Sequence, residues 1–255
     1  MHDIVTPGID KNNLTAALNA ADQALMSKVA RIMRLPAGTN LYQPGDIVTA
    51  AYFPLGDAVA TFHALMDDGS AVEIAMIGRE GAVGGIVSSG RLAAYSRSCV
   101  MHGGYFARID SSALETLKAS SPAIRDLLSR YADCLLAQIF QSVACNAVHS
   151  LEMRAAKWLT AAVDRTGSHQ VMMTQEEFGA LLGIARSYAS RLIKSLKADG
   201  LVQTRRGSLI VLDADRLKQR ACTCNEMVRA HFDHVLAGVY PEPSDLEDAR
   251  QNHRA

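Results

Sequence analysis

Between residues 186 and 206 the chain carries Arg186, Arg191, Lys194, Lys197, Arg205 and Arg206 against a single carboxylate, Asp199. Cationic donors at this density suit a polyanion, because they neutralise phosphates and because the two N–H groups of an arginine match the O6 and N7 acceptors of guanine. Arg186 and Arg191 are the candidates for base edges. Thr174, Gln175, Ser190 and Lys194 suit phosphate oxygens, which fix orientation without reading sequence. Ser187, Tyr188, Arg205 and Arg206 complete the candidate DNA-contacting set. A second constellation lies in the tail, where Cys222-x-Cys224 is followed by His231-x-x-His234, residue types that bind zinc. At helical spacing Cys222 lies about 200° around from Cys224, so four-coordinate binding by this set needs a broken helix. Buried thiols are the plainer expectation, and neither a metal nor a cofactor is predicted.

The charge distribution sharpens the first reading. The whole chain of 255 residues is formally neutral, with 26 Lys+Arg and 26 Asp+Glu. Residues 1–150 hold 11 basic and 13 acidic groups, residues 151–220 hold 12 and 7, and residues 221–255 hold 3 and 6. Only the middle-late segment is basic, as a nucleic-acid surface requires. No Gly-x-Ser-x-Gly elbow, Walker lysine, His-Glu zinc motif or dinucleotide fingerprint is present, so the sequence predicts no enzyme and no catalytic residue. No run approaches the twenty apolar residues that cross a bilayer, and the N-terminus lacks the order of a signal peptide, so a cytoplasmic protein without membrane contact is expected. Five cysteines, odd in number and scattered, fit reduced thiols.

These residues need elements to hold them. Thr174 and Glu177 make a reciprocal capping box that starts a helix, with Phe178, Leu181 and Leu182 on its apolar face. Gly183 ends it, Ile184 fills the angle, and residues 185–198 form a second helix with Ala189, Leu192, Ile193 and Leu196 inward. Arg186, Ser187, Ser190, Arg191, Lys194 and Lys197 then face outward, a helix-turn-helix arrangement. Two short strands, 201–204 and 209–212, flank Arg205-Arg206-Gly207-Ser208 and read as a basic wing.

Upstream, residues 12–34 show helical periodicity and read as a helical lead-in (1–34). Residues 35–121 break into short strand-like runs divided by turn residues, the pattern of a small antiparallel barrel or jelly roll. Ser111 or Ser112 can cap a short helix, and Pro122 can open a long one at 122–146. There Ile124, Leu128, Tyr131, Leu135 and Ile139 mark a candidate dimerisation seam, while Leu127, Cys134, Leu136 and Phe140 widen the apolar surface. A hinge is expected at 146–150, a winged helix-turn-helix domain at 150–220, and a C-terminal helix and tail at 221–255. The fold class is α+β.

Leu35-Pro36-Ala37-Gly38, Tyr42-Gln43-Pro44-Gly45-Asp46, Asp68-Gly69, Gly81–Gly84 and above all residues 175–202 resemble the Crp/Fnr superfamily of bacterial regulators over nearly the whole chain. The resemblance implies a cyclic-nucleotide-binding-like barrel, a dimerising helix and a palindromic operator on double-stranded DNA, read by a homodimeric transcription factor with RNA polymerase as a candidate further partner. It also implies an effector site around Gly84, Gly85, Arg97 and Ser98. Arg97-Ser98 fits the phosphate half of a nucleotide site, but Gly84 is followed by Gly85 where nucleotide-binding members carry glutamate, which argues against cyclic AMP and leaves the effector unknown. The motif Gly78-Arg79-Glu80-Gly81-Ala82-Val83-Gly84 resembles a branch of the superfamily with mostly unassigned effectors. No cysteine precedes Cys99, which excludes the N-terminal iron–sulfur sites of other members. A regulatory or interaction module without DNA contact is the alternative reading.

Overall fold

The computed structural model describes residues 6–86, 92–237 and 239. The expected lead-in is shorter than its periodicity. It forms α1 (Asn13–Ala16) and α2 (Ala20–Val29), after which Arg31–Leu35 becomes strand β1. Pairing decides the matter, because Arg31 to Leu35 lie in register against Arg108 to Gly104, where five residues gain a backbone partner that an extended helix would not find. Asn12 ties this region down. Fully buried, it accepts from the amides of Leu14 and Thr15 and donates to the carbonyls of Pro54 and Gly81, both at 2.9 Å.

Strands β2 (Asn40–Tyr42), β3 (Ala50–Leu55), β4 (Val59–Leu65), β5 (Ala71–Ile77), β6 (Val83–Gly84), β7 (Arg97–His102) and β8 (Gly104–Asp110) complete the barrel. They form two four-stranded antiparallel sheets, ordered β1-β8-β3-β6 and β2-β7-β4-β5. Between the sheets lie Ala58, Ala60, Ala75, Ile77, Val83, Val100 and Phe106, a core built mostly of small side chains. Gly78–Gly90 is a glycine-rich stretch of the sequence, and its last residues, 87–90, lie outside the described residues.

Helix α3 (Ser111–Ser120) follows. Its N-cap is Asp110, not Ser111 or Ser112, and the buried Ser111 hydroxyl has no partner. Ser121 caps α4 (Pro122–Val148), its oxygen accepting from the Ile124 amide, with Pro122 in the first turn. The expected dimerisation seam is corrected here. Ile124, Leu128 and Tyr131 are fully buried in their own chain, packed with Phe53, Leu114 and Ile109 of the barrel side, and Leu135 is half-buried against the barrel core. The phenol of Tyr131 donates to the carbonyl of Ala82 at 3.0 Å. Leu136, Phe140 and Val143 of α4 are left open, 49%, 67% and 65% exposed, at spacings of four and three, and Val148 at the end of the helix is 74% exposed. Ile139 lies half-buried on the side toward the second domain.

After His149 and Ser150 the chain enters α5 (Leu151–Thr166), β9 (Gln170–Met172), α6 (Gln175–Leu182), α7 (Arg186–Ala198), β10 (Val202–Arg205), β11 (Ser208–Val211), α8 (Ala214–Arg220) and α9 (Cys224–Ala237). Strands β9 and β10 flank β11 in a three-stranded sheet. Their core, including Trp158, Leu159, Phe178, Ile193, Leu196 and Leu217, also takes in Val59 and Met76 of the barrel, so the two units share one apolar contact. Helix α9 returns along α4, placing Phe232 edge-on to Tyr131 at 6.3 Å between ring centroids. Among the described residues no helix is long and apolar enough to cross a membrane.

Gly84 shows how tightly the barrel closes. It sits at φ +115°, and a Cβ there would fall 2.2 Å from the carbonyl oxygen of Ala50, whereas Gly45, at φ +89°, has open space around it. Gly45→Ala should therefore cost only the left-handed strain of about 1–2 kcal/mol, and Gly84→Ala about 1–3 kcal/mol more. Equal losses in denaturant unfolding would show that β6 is not held against β3.

Candidate nucleic-acid interface

The helix-turn-helix is built from backbone chemistry. The Thr174 hydroxyl accepts from the Glu177 amide at 3.1 Å while the Glu177 carboxylate accepts from the Thr174 amide at 2.7 Å, and Gly183 closes α6 at φ +69°. Ile184 packs into the angle between the helices. Gly179, which sequence reasoning passed over, makes the close crossing possible, since a Cβ there would lie 3.0 Å from the Ile184 carbonyl and 3.3 Å from the Ala189 Cβ. Arg154 donates to the Leu182 carbonyl at 3.0 Å, fixing the end of α6 to α5.

This frame presents Arg186, Ser187, Tyr188, Ser190, Arg191 and Lys194 on the exposed side of α7, with Ala189, Leu192, Ile193 and Leu196 buried behind them. Arg205 and Arg206 are exposed at the tip of the β10–β11 turn, which Gly207 makes at φ +71°. A shallow concavity of about 400 Å³ joins the two parts, bringing Thr174, Gln175, Arg186 and Arg205 together, with the Glu176 carboxylate at its rim. Among the described residues no ion pair engages Arg186, Arg191, Lys194, Arg205 or Arg206. Asp199, the one carboxylate of the segment, is turned onto Arg220 at 3.0 Å. The cationic face is therefore unneutralised from within. Arg191 lies over the Tyr188 ring, 4.9 Å from its centroid.

The expected effector residues fall on opposite sheets of the barrel. Gly84 ends β6 with its space filled by β3, and Gly85 follows it. Arg97 and Ser98 open β7, where the Arg97 Nε and the Ser98 hydroxyl are buried without a partner. His63 pairs with Arg97 across the sheet, and burial together with the Arg97 charge holds its imidazole down to about 4, so it is neutral at physiological pH. As consecutive residues of β7, Arg97 and Ser98 direct their side chains to opposite faces of the strand. The Gly84 side supplies no carboxylate for a ribose hydroxyl.

The tail cysteines find different company from that expected. His231 and His234 lie exposed on α9. Cys222 and Cys224 instead meet Cys145 and His149, and the four side chains bring one ligand atom each to within 4.8 Å of one another. The helix is broken between Arg220 and Cys224, which removes the angular obstacle of a continuous one. Cys145-x-x-x-His149, one helical turn apart, was the signal available in the sequence.

Between the two units, the Trp158 indole N–H donates to the Glu73 carboxylate at 2.7 Å and Arg165 donates to Glu80 at the same distance. A cleft of about 750 Å³ opens beside these contacts, lined in part by Glu73, Gln138, Arg154 and Lys157. Burial pushes Glu73 up to about 7, against the opposing influence of the Trp158 hydrogen bond, Arg165 and Lys157. Burial also opposes ionisation of Glu80, but the Arg165 guanidinium and the Gly78 amide together hold it below the usual carboxylate range.

The chain thus combines a barrel, a long helix and a helix-turn-helix with a wing. Residues 153–220 match the Crp-like helix-turn-helix domain family, and over the longer span the chain has the fold of Crp/Fnr-type transcriptional regulators. The similar solved structures include a putative transcriptional regulator of the Crp/Fnr family from Eubacterium rectale, at TM-score 0.63 and 18% identity over 83% of this chain and 98% of that one. The c-di-GMP-responsive global regulator CLP of Xanthomonas campestris gives TM-score 0.62 at 19% identity over 76% and 100%. FixK2 from Bradyrhizobium japonicum gives 0.63 at 15% over 76% and 98%. No curated protein matches the chain significantly.

Because the carboxyl of Glu73 is raised from 4.5 to about 7 on folding, its contribution is fully present below about pH 4.5 and is lost as pH rises through about 7. Glu73→Gln keeps an acceptor for Trp158 and removes the titration. Urea unfolding from pH 5 to 8 should show the wild type losing stability relative to Glu73→Gln. Parallel pH profiles would refute a buried, titrating Glu73.

Proposed function

We propose that this protein is a sequence-specific DNA-binding transcriptional regulator that acts as a homodimer on a palindromic operator. The observation that carries this reading is the exposed cationic face of α7 and the wing, which no ion pair among the described residues engages, with the carboxylate of Asp199 turned away onto Arg220. In this reading Arg186 and Arg191 contact base edges. Thr174, Gln175, Ser190 and Lys194 contact phosphates, as do Arg205 and Arg206 from the wing, with Ser187 and Tyr188 beside them. Arg191 leaves its stacking position over Tyr188 to reach the groove.

The dimer forms through Leu136, Phe140 and Val143 of α4, whose exposure and spacing suit a helix pair. Two recognition helices then stand roughly 34 Å apart, matching successive major grooves. The barrel receives a signal around Arg97 and Ser98, where the buried, unpartnered Nε of the Arg97 guanidinium favours an anion, and glycine at both positions 84 and 85 argues against cyclic AMP.

Selection of bound duplexes from a random pool should return a palindrome. On that site Arg191→Ala should lose about 1–3 kcal/mol with relaxed preference at one base pair, while Arg206→Ala should weaken all duplexes alike and lower the salt slope by about 1. Phe140→Asp should yield a monomer in sedimentation that no longer distinguishes the full palindrome from one half. A dimeric Phe140→Asp protein would place the interface elsewhere, and an Arg191→Ala protein of unchanged selectivity would remove that residue from base reading.

A further inference from the structure

At the junction of the long helix with the DNA-binding unit, Cys145, His149, Cys222 and Cys224 converge from two distant stretches of chain. The three thiols are 0%, 4% and 3% exposed, and His149 is half-buried. The spacing within the group is the informative quantity. The Cys145 and Cys222 sulfurs lie 3.6 Å apart, and the Cys224 sulfur lies 3.5 Å from the His149 Nδ1. Ligands at zinc–sulfur and zinc–nitrogen distances of about 2.3 and 2.0 Å on a tetrahedron are separated by about 3.5–3.8 Å along each edge. Two opposite edges already have that length, and the remaining atoms need to close by at most about 1.3 Å from the 4.8 Å limit.

A separate observation concerns what surrounds the sulfurs. The Lys157 ammonium donates to the Cys145 sulfur at 3.4 Å and the Gln141 amide donates to the Cys224 sulfur at 3.2 Å. Neutral thiols in an apolar pocket ask for no such donors, whereas metal-bound thiolates are commonly oriented and stabilised by them. A divalent ion with three thiolates and a neutral imidazole carries one net negative charge, which the Lys157 ammonium offsets. Met153 closes the pocket on its apolar side.

We infer that Cys145, His149, Cys222 and Cys224 form a four-coordinate site for a thiophilic divalent cation of the zinc class. Coordination displaces one proton from each of the three thiols, and no electron is transferred. All four positions are filled by protein, which marks a fastening site with no place for a substrate. What it fastens is specific. Cys145 is in the last turn of α4, His149 caps that helix one residue before the break at Ser150, Cys222 lies in the α8–α9 connection, and Cys224 opens α9. Leu217 of α8 belongs to the core of the DNA-binding unit, and Arg220 is paired with Glu152 of α5 and Asp199. The ion thus clamps the far end of that unit to the long helix beside the hinge. The coordination stands by itself, while its control of DNA affinity rests on the DNA-binding reading.

The reduced full-length protein should take up one Co²⁺ per chain with the thiolate-to-cobalt charge transfer and intense d–d bands of a tetrahedral site, and Zn²⁺ should displace it and raise the thermal midpoint. Cys222→Ser and Cys145→Ser should each weaken Zn²⁺ binding by at least about 100-fold in chelator competition, and Cys99→Ser should leave it unchanged. If the cysteine variants fail to fold, Lys157→Met, which keeps all four ligands, should still bind cobalt with a shifted charge-transfer band. An octahedral or sulfur-free cobalt spectrum overturns the site, as does a Cys145–Cys222 disulfide in air-purified protein that after reduction takes up no metal. Operator affinity measured with Zn²⁺ and after chelation tests the coupling separately. Tetrahedral binding with unchanged affinity for a verified operator retains the site and overturns its control of DNA binding.

Discussion

Seven consecutive residues, Gly78 to Gly84, hold the barrel to everything else. Glu80 accepts from Arg165 of the DNA-binding unit and from the Gly78 amide, so one partly buried carboxylate both closes its own turn and anchors α5. The Arg79 carbonyl accepts from the Asn13 amide of the lead-in, and the Gly81 carbonyl accepts from Asn12. Gly81 leaves room for Tyr131, whose hydroxyl would stand 2.4 Å from any Cβ at that position, and Ala82 accepts the tyrosine hydrogen bond. Gly84 then slides under β3. Lead-in, long helix, second domain and barrel therefore meet on a segment too short to move one attachment without the others, which gives a structural reason for its composition.

The second domain was legible in detail because its signals are local. The capping box at Thr174, the left-handed Gly183 and the wing turn at Gly207 each depend on residues within four positions, and each appears as the residue types dictate. Charge was legible for the same reason, since it is a count along one helix. What failed were inferences about partners. Arg31–Leu35 reads as the end of a helix until β8 stands beside it. On α4 two apolar stripes compete, and periodicity measures the stripes without saying that the barrel and α9 occupy the one with Ile124, Leu128 and Tyr131. Cys145 and His149 belong with Cys222 and Cys224 only because α9 turns back along α4, a fact of topology some 77 residues removed from the first ligand.

That return of the chain changes how the two domains can move. In a barrel–helix–domain arrangement joined only at His149 and Ser150, the DNA-binding unit would swing about one point. Here the unit is attached at three places: the α4–α5 break, the Glu73–Trp158 and Glu80–Arg165 contacts on the barrel, and the α8–α9 connection pinned against the end of α4. A rigid body held at three separated points has little rotational freedom unless one attachment releases. Shared burial of Val59 and Met76 within the second domain's core adds an apolar penalty to any separation.

Each attachment has its own chemistry, and this decides what kind of stimulus can act on it. The Glu80–Arg165 pair is ionised and partly buried, so a change in charge or solvent access is needed to loosen it. Glu73 faces a hydrogen-bond donor it can keep whether protonated or not, so its state adjusts the strength of the contact without abolishing it. The sulfur-rich junction brings three thiols and an imidazole together beside Lys157 and Gln141. On the barrel, the Arg97 Nε and the Ser98 hydroxyl are buried without a partner. β4 carries both Val59 at the domain contact and His63 opposite Arg97, so a single strand joins the barrel's Arg97 to that contact. Such a strand is a rigid element touched at both ends, the physical requirement for coupling two sites without a long relay.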